Sequence, residues 1–256
     1  MIRSGQFQQI EKSQCMPTRN LLYAKELAVN DKISVVVPTI REILSDEDSY
    51  YGLVSMLTAM PIDYMVLLDD MGLDFSNMNA YDLFLLLFPL IQSQDTSLIF
   101  GDMSLEHFTR MVNEQNGLVV LVDPVNDIVI DRAIHGQIQA ALRKIHHLEK
   151  NIKRPANEDA RKYMLERARI KQKRRRNRQQ DSALESMIVA MVNTEQYKYD
   201  FESTLGLSIY QFNESVRQII RKIDFDNRMI GVYAGTVDAS KVDPDDLKWI
   251  GPSNKK

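Results

Sequence analysis

Residues 208–235 read SIYQFNESVRQIIRKIDFDNRMIGVYAG. Ser208 offers a side-chain oxygen to the free amides of a helix start. From it Ile209, Phe212, Val216, Ile219, Ile220, Ile223, Met229, Ile230 and Tyr233 recur at steps of three and four, the spacing of one helical face. Gly235 predicts the end. Leu184, Met187, Ile188, Met191 and Val192 predict a helix before it, and Asp243-Pro244-Asp245-Asp246 with Trp249 predict a final turn and hydrophobic anchor behind it.

Working toward the N-terminus, no apolar residue occurs from Lys171 to Ser182, 12 residues that have nothing to bury and cannot form core. Pro155 and Asn157-Glu158-Asp159 start this segment with negative charge suited to the positive end of a helix. Earlier still, Asp131 can cap a helix with the stripe Ile134, Ile138, Ala141, Leu142, Ile145 and Leu148. Leu118–Val122 and Ile128–Ile130 read as strands of a hairpin joined through Asp123–Asp127. Ser104, Leu105, Phe108, Met111 and Val112 predict a helix closed by Asn116 and Gly117, and Ser97–Phe100 a strand. Asn79 can cap a helix through Leu83, Phe84, Leu86, Leu87 and Phe88 that is apolar nearly all round. Two tightly joined helices precede it, one carrying Leu53, Val54, Met56 and Leu57, the other starting at Pro61 and ending before Gly72. Thr39 and Glu42 have the spacing of a capping box behind the β-branched run Ile33–Val37. The fold class expected is α+β and predominantly α-helical. It divides into an N-terminal arm (1–30), an N-terminal α+β domain with a small β element (31–152), a basic helical connector (153–182) and a helical C-terminal domain (183–256).

Composition narrows the function. The chain has 256 residues, a single cysteine (Cys15) and a net charge of −3. One cysteine excludes an internal disulfide framework and a cysteine-rich zinc site, which fits a reducing compartment. Tyr81–Ile91, the most apolar segment, holds Asp82 and Pro89 and is about half the roughly 20 residues needed to span a bilayer. No membrane association is therefore expected. The charge is uneven: Ala141–Arg178 carries 15 Lys or Arg against 4 Asp or Glu, leaving 17 against 31 elsewhere.

Signatures of catalysis are absent. There is no phosphate loop, Gly-x-Gly-x-x-Gly, Gly-x-Ser-x-Gly or His-Glu-x-x-His, so no enzyme activity, catalytic residue, metal or cofactor is expected. His146 and His147 point about 100° apart on one helix and cannot jointly hold a metal. Asp69 and Asp70 form the most conspicuous acidic pair, read as solvated surface, with a hydrolase or nuclease role as the minor alternative. Lys171, Lys173, Arg174, Arg175, Arg176 and Arg178 are candidates for contact with phosphate or an acidic partner. No aromatic residue interleaves them, so base stacking is not supported.

Val37-Pro-Thr-Ile-Arg-Glu-Ile-Leu44 followed by Tyr50-Tyr51, and Leu207-Ser-Ile-Tyr-Gln-Phe212 with Gly231-Val-Tyr-Ala-Gly235, Asp238 and Trp249, resemble proteins from tailed phages and prophages of Firmicutes. These are similar to tail and baseplate assembly chaperones and structural proteins of the tail module. The resemblance implies protein–protein assembly with other tail-module proteins in the host cytoplasm or the virion. The aromatic and aliphatic residues of the long helix and its anchor, Ile209, Phe212, Val216, Ile220, Tyr233 and Trp249, are the expected partner-binding or self-association residues. Nucleic-acid binding through the basic connector is the alternative function. Limited trypsin digestion is expected to cut first between Lys171 and Arg178 and to leave two resistant fragments. Resistance there under native conditions would place the connector against the body of the protein.

Overall fold

Polar caps at fixed offsets cut the chain into short elements. In the computed structural model, which describes residues 21–113, 117–176, 182–244 and 247–250, these are β1 (Glu26–Ala28), β2 (Ser34–Val36), α1 (Ile40–Ser45), α2 (Glu47–Thr58), α3 (Met65–Asp70), α4 (Ala80–Gln92), α5 (Ser97–Phe100), β3 (Thr109–Val112), β4 (Val119–Asp123), β5 (Ile128–Ile130), α6 (Arg132–His146), α7 (Glu158–Arg176), α8 (Ala183–Val192), α9 (Phe201–Leu205) and α10 (Ile209–Tyr233). The fold is α+β and mainly helical. Its strands form two small antiparallel sheets, β1–β2 and β3–β4–β5. Thr39 and Glu42 make the expected capping box on α1, Asn79 and Asp82 one on α4, and Asp131 accepts from the Ile134 amide at 2.8 Å.

The centre is the packing of α2, α4 and α6 on one another. Leu53, Leu57, Leu83, Phe84, Leu87, Ile138 and Leu142 meet there, all buried. Burial of aliphatic and aromatic side chains of this size is the main stabilising term, about 1.5–3 kcal/mol each. Polar groups inside the core are satisfied by placement. Gln139 donates to the carbonyls of Leu57 and Ala59 at 3.2 and 3.1 Å, and Arg143 donates to that of Thr58. Two side chains one turn apart on α6 thus close the open carbonyl end of α2.

Two segments differ from their sequence reading. Ser97–Phe100 forms a helical turn: Asp95 accepts from the Ser97 amide, the Thr96 carbonyl accepts from Ile99 and Phe100, and Gly101 ends it at φ 62°. The stretch from Ser104 to Val112 is a turn followed by β3. Gln92 Nε2 reaches the carbonyls of Leu105, Glu106 and Phe108 at 3.1, 2.9 and 2.9 Å, holding them away from helical pairing, while Leu105 and Phe108 still bury. Asn116 lies outside the described residues. The expected N-terminal arm also changes over residues 21–30, because Leu21 is fully buried and β1 pairs Leu27 with Val35 of β2. Residues 1–20, Cys15 among them, lie outside the described part.

The C-terminal segment shares this core. Leu184, Ile188 and Met191 of α8, Tyr197, and Ile209, Tyr210 and Phe212 of α10 belong to the same buried cluster as Ile40 and Ile43. The join is made by backbone hydrogen bonds as well as apolar packing. Thr39 and Ser208 form an antiparallel bridge in which the Ile40 amide donates to the Leu207 carbonyl and the Ile209 amide to the Pro38 carbonyl, both at 2.9 Å.

Two histidines are buried in the same body. His135 stacks on Phe84 at 4.3 Å, and His146 Nε2 shares a 2.8 Å hydrogen bond with the Tyr50 hydroxyl. Burial, with Arg143 near the first and His147 near the second, lowers each from 6.5 to about 4. The neutral form is the folded form, so this stability is fully present above pH 6.5 and is lost as pH falls toward 4. Each histidine is expected to destabilise the fold by about 2 kcal/mol by pH 5. Urea-unfolding midpoints should therefore drop between pH 7 and pH 5, above the range where carboxylates protonate; a flat profile there would contradict the burial of both rings.

Candidate functional site

The expected partner-binding residues lie along α10, a rod of about 37 Å at 1.5 Å per residue. Its start is fixed in the core. Ser208 and Gln211 form a capping box, and Ile209 and Phe212 are buried to 1% and 0% exposure. These two are corrected from contact surface to core, since their side chains are consumed by the protein's own packing. At about 100° per residue, Val216, Ile219, Ile223 and Ile230 continue the line of Phe212, with Ile220 at its edge. Val216 and Ile219 pack partly against the core. Beyond them the line leaves the body, and Ile220 is 53%, Ile230 66% and Tyr233 83% exposed.

A return strap covers a different side of the same helix. Gly235 turns the chain at φ 71°, and the Gly231 carbonyl accepts from the amides of Thr236 and Val237 at 2.9 and 3.1 Å. A Cβ on Gly231 would meet Val237 Cγ2 at 2.7 Å, so the close return requires glycine there. Further back, Gln218 donates to the Trp249 carbonyl and Arg221 to the Lys248 carbonyl, both at 2.8 Å, while the Lys222 ammonium sits 5.3 Å from the Trp249 ring centre. Trp249 is thus an intramolecular anchor on the flank of α10 and stands apart from Ile220 and Ile230.

The basic segment divides by face. Leu165 of α7 is buried against the body, and the arginines one turn to either side of it hold the acidic end of α3. Arg161 lies 3.3 Å from Asp69, 3.5 Å from Asp74 and 3.1 Å from Glu158; Arg169 lies 2.9 Å from Asp69 and 2.6 Å from Asp70. The two aspartates at the negative end of α3 are therefore offset by cations from another helix. Lys171, Lys173 and Arg174 are exposed on the last turns of α7. Arg178 and the side chains of Arg175 and Arg176 lie outside the described residues, as do Asp245 and Asp246.

Between the end of α6 and the start of α10 is an open groove of about 470 Å³, lined by Leu22, Arg143, His147, Tyr210, Glu214 and Arg217 among others. His147 ends α6 in the left-handed region, at φ 54°, and stacks on Tyr210 at 5.2 Å. Its Nε2 is 3.4 Å from Glu214, too far for a hydrogen bond, and burial lowers its pKa against the opposing pull of that carboxylate. Glu214 is itself held by Arg217 at 2.6 Å. No cluster of three or more His, Cys, Asp or Glu able to hold a metal occurs among the described residues, and no helix among them is long and apolar enough to cross a membrane.

The model of one protein family, described as the YomV second domain, matches residues 173–254. The matched stretch contains α8, α9, α10 and the strap. YomV is a Bacillus phage and prophage protein, and the match points to a phage-associated protein. No curated protein and no solved structure matches the chain.

The bridge that roots α10 has no sequence signal, because two ordinary caps 169 positions apart reveal nothing of their pairing. The arginine contacts of Asp69 and Asp70 were partly visible in charge: an acidic pair at a helix end and a basic helix later in the chain. Asp69→Ala should cost about 1–2 kcal/mol, because it removes the one carboxylate shared by the partly buried Arg161 and by Arg169. The readout is faster tryptic cleavage after Arg161 and Arg169; unchanged cleavage and unchanged unfolding midpoint would show that Leu165 alone holds α7.

Proposed function

We propose that this protein is a non-enzymatic component of phage tail assembly, structural or chaperone-like, which binds other tail-module proteins or its own copies through the outer half of α10. The observation that carries the reading is the apolar line that starts in the core at Phe212 and emerges uncovered at Ile220 and Ile230. Exposing large aliphatic residues in register with a core stripe is the pattern of a helix that buries its remaining face against a partner. The phage-associated match over residues 173–254 includes this whole helix. The resemblance of residues 37–51 and 207–249 to tail proteins points the same way. Such a role places the protein in the host cytoplasm during assembly, with retention in the virion as a possible end state.

Binding of standard size would bury roughly 1,600 Å² in total. Ile220→Glu with Ile230→Glu should leave the melting temperature within a few degrees, because neither side chain is buried, yet abolish recovery of tail proteins with the tagged protein from phage-producing cells. Quantitative mass spectrometry of those recoveries against the unaltered protein is the test. If no tail-module protein is enriched by the unaltered chain, the tail assignment fails; if the double variant recovers the same tail proteins, the assignment of the surface fails.

A further inference from the structure

We propose that the outward face of α7, residues 167–174, binds the phosphate backbone of double-stranded nucleic acid. The helix sorts its cations by direction. Arg161 and Arg169 point to α3 and are spent on Asp69, Asp70 and Asp74. Arg167, Lys171 and Arg174 fall within about 60° of one another on the side of α7 opposite Leu165, with Lys162 and Lys173 on a flank; all five are exposed, and among the described residues no ion pair ties any of them to a carboxylate. Glu166 is the sole acidic residue between Ala160 and Arg174.

Holding these charges together has a cost that the fold does not recover. Arg167 and Lys171 are four residues apart and Lys171 and Arg174 three apart, spacings at which like charges on a helix repel. A partner with dense negative charge relieves that repulsion. The three outward cations span about 10 Å of rigid helix, and a duplex presents one negative charge per roughly 1.7 Å of its axis.

Recognition would be of the backbone and not of bases. Tyr163 is the one aromatic residue on this helix, and the Arg167 guanidinium lies over one face of its ring at 5.5 Å and donates to its hydroxyl at 3.0 Å, so a lone, half-occupied ring is all that base stacking could use. Without an open stacking platform, single strands have little to gain over duplex. The acidic remainder of the chain, 17 basic against 31 acidic residues outside 141–178, repels phosphate from other faces and confines contact to this one. The site is separate from the apolar line of α10, so the two readings stand or fall independently.

The test uses full-length protein and a short fluorescently labelled DNA duplex of mixed sequence, with anisotropy followed between about 50 and 200 mM salt. The expected result is a log–log slope of affinity against salt near −3, from about three phosphates neutralised. The combined variant Arg167→Ser, Lys171→Ser, Lys173→Ser and Arg174→Ser should bind at least tenfold more weakly with a flatter slope. Arg167→Lys with Arg174→Lys keeps the charge and should bind like the unaltered protein. Neutralising Lys25, Arg132 and Lys198, exposed elsewhere, should change affinity less than twofold. Absence of binding at the lowest salt, equal loss in the control variant, or tighter binding to the corresponding single strand would each overturn the proposal. Displacement of the duplex by an acidic peptide at equal charge concentration would overturn it in favour of a protein partner.

Discussion

Four backbone atoms at the Thr39–Ser208 bridge decide where the second half of this protein can go. The amides of Ile40 and Ile209 are each the first of a helix, the kind of donor that a helix leaves unpaired at its start. Here each finds a carbonyl just ahead of the other helix, Leu207 and Pro38, at 2.9 Å. The side chains of Thr39 and Ser208 remain free to cap their own helices, and both close capping boxes. Two helix starts thus satisfy each other, and α1 and α10 are fixed with a common origin in the core.

Everything distal follows from that origin. Because α10 is 25 residues long and is rooted only at its first turns, its apolar line must run past the edge of the body. The strap from Gly235 to Trp249 covers a flank and leaves the line open. On the other side of the chain, α7 is held by a buried leucine between two arginines that answer three aspartates. Surface ion pairs contribute little singly; here one carboxylate is shared by two arginines across a partly buried contact, which gives direction to the helix and turns Arg167, Lys171 and Arg174 outward.

The sequence carried most of the local structure. Caps at Thr39, Asn79, Asp131 and Ser208 were readable because a short polar side chain followed by an apolar period has one ready physical use. Where reading failed, tertiary contacts had overridden period: Leu105 and Phe108 keep helical spacing yet bury from a turn held by Gln92, and Ser97–Phe100 winds up because Asp95 and Thr96 supply turn chemistry to a run of apolar residues. The surface assigned to partners was half legible. Periodicity identified the stripe of α10, but it cannot say at which residue a stripe passes from core to solvent, and so Ile209 and Phe212 were grouped with Ile220. Trp249 was recognised as an anchor, but its target, the flank of α10, depends on a return through Gly231 that only the backbone path shows.

A long helix rooted at one end and open at the other has a direct readout in amide hydrogen exchange of the isolated full-length protein. The amides of Ile40 and Ile209 through Val216 should exchange as slowly as those of α4 and α6, opening only with global unfolding, while protection falls progressively from Ile220 to Tyr233. Rapid exchange at Ile40 and Ile209, or protection that stays uniform along all of α10, would contradict it.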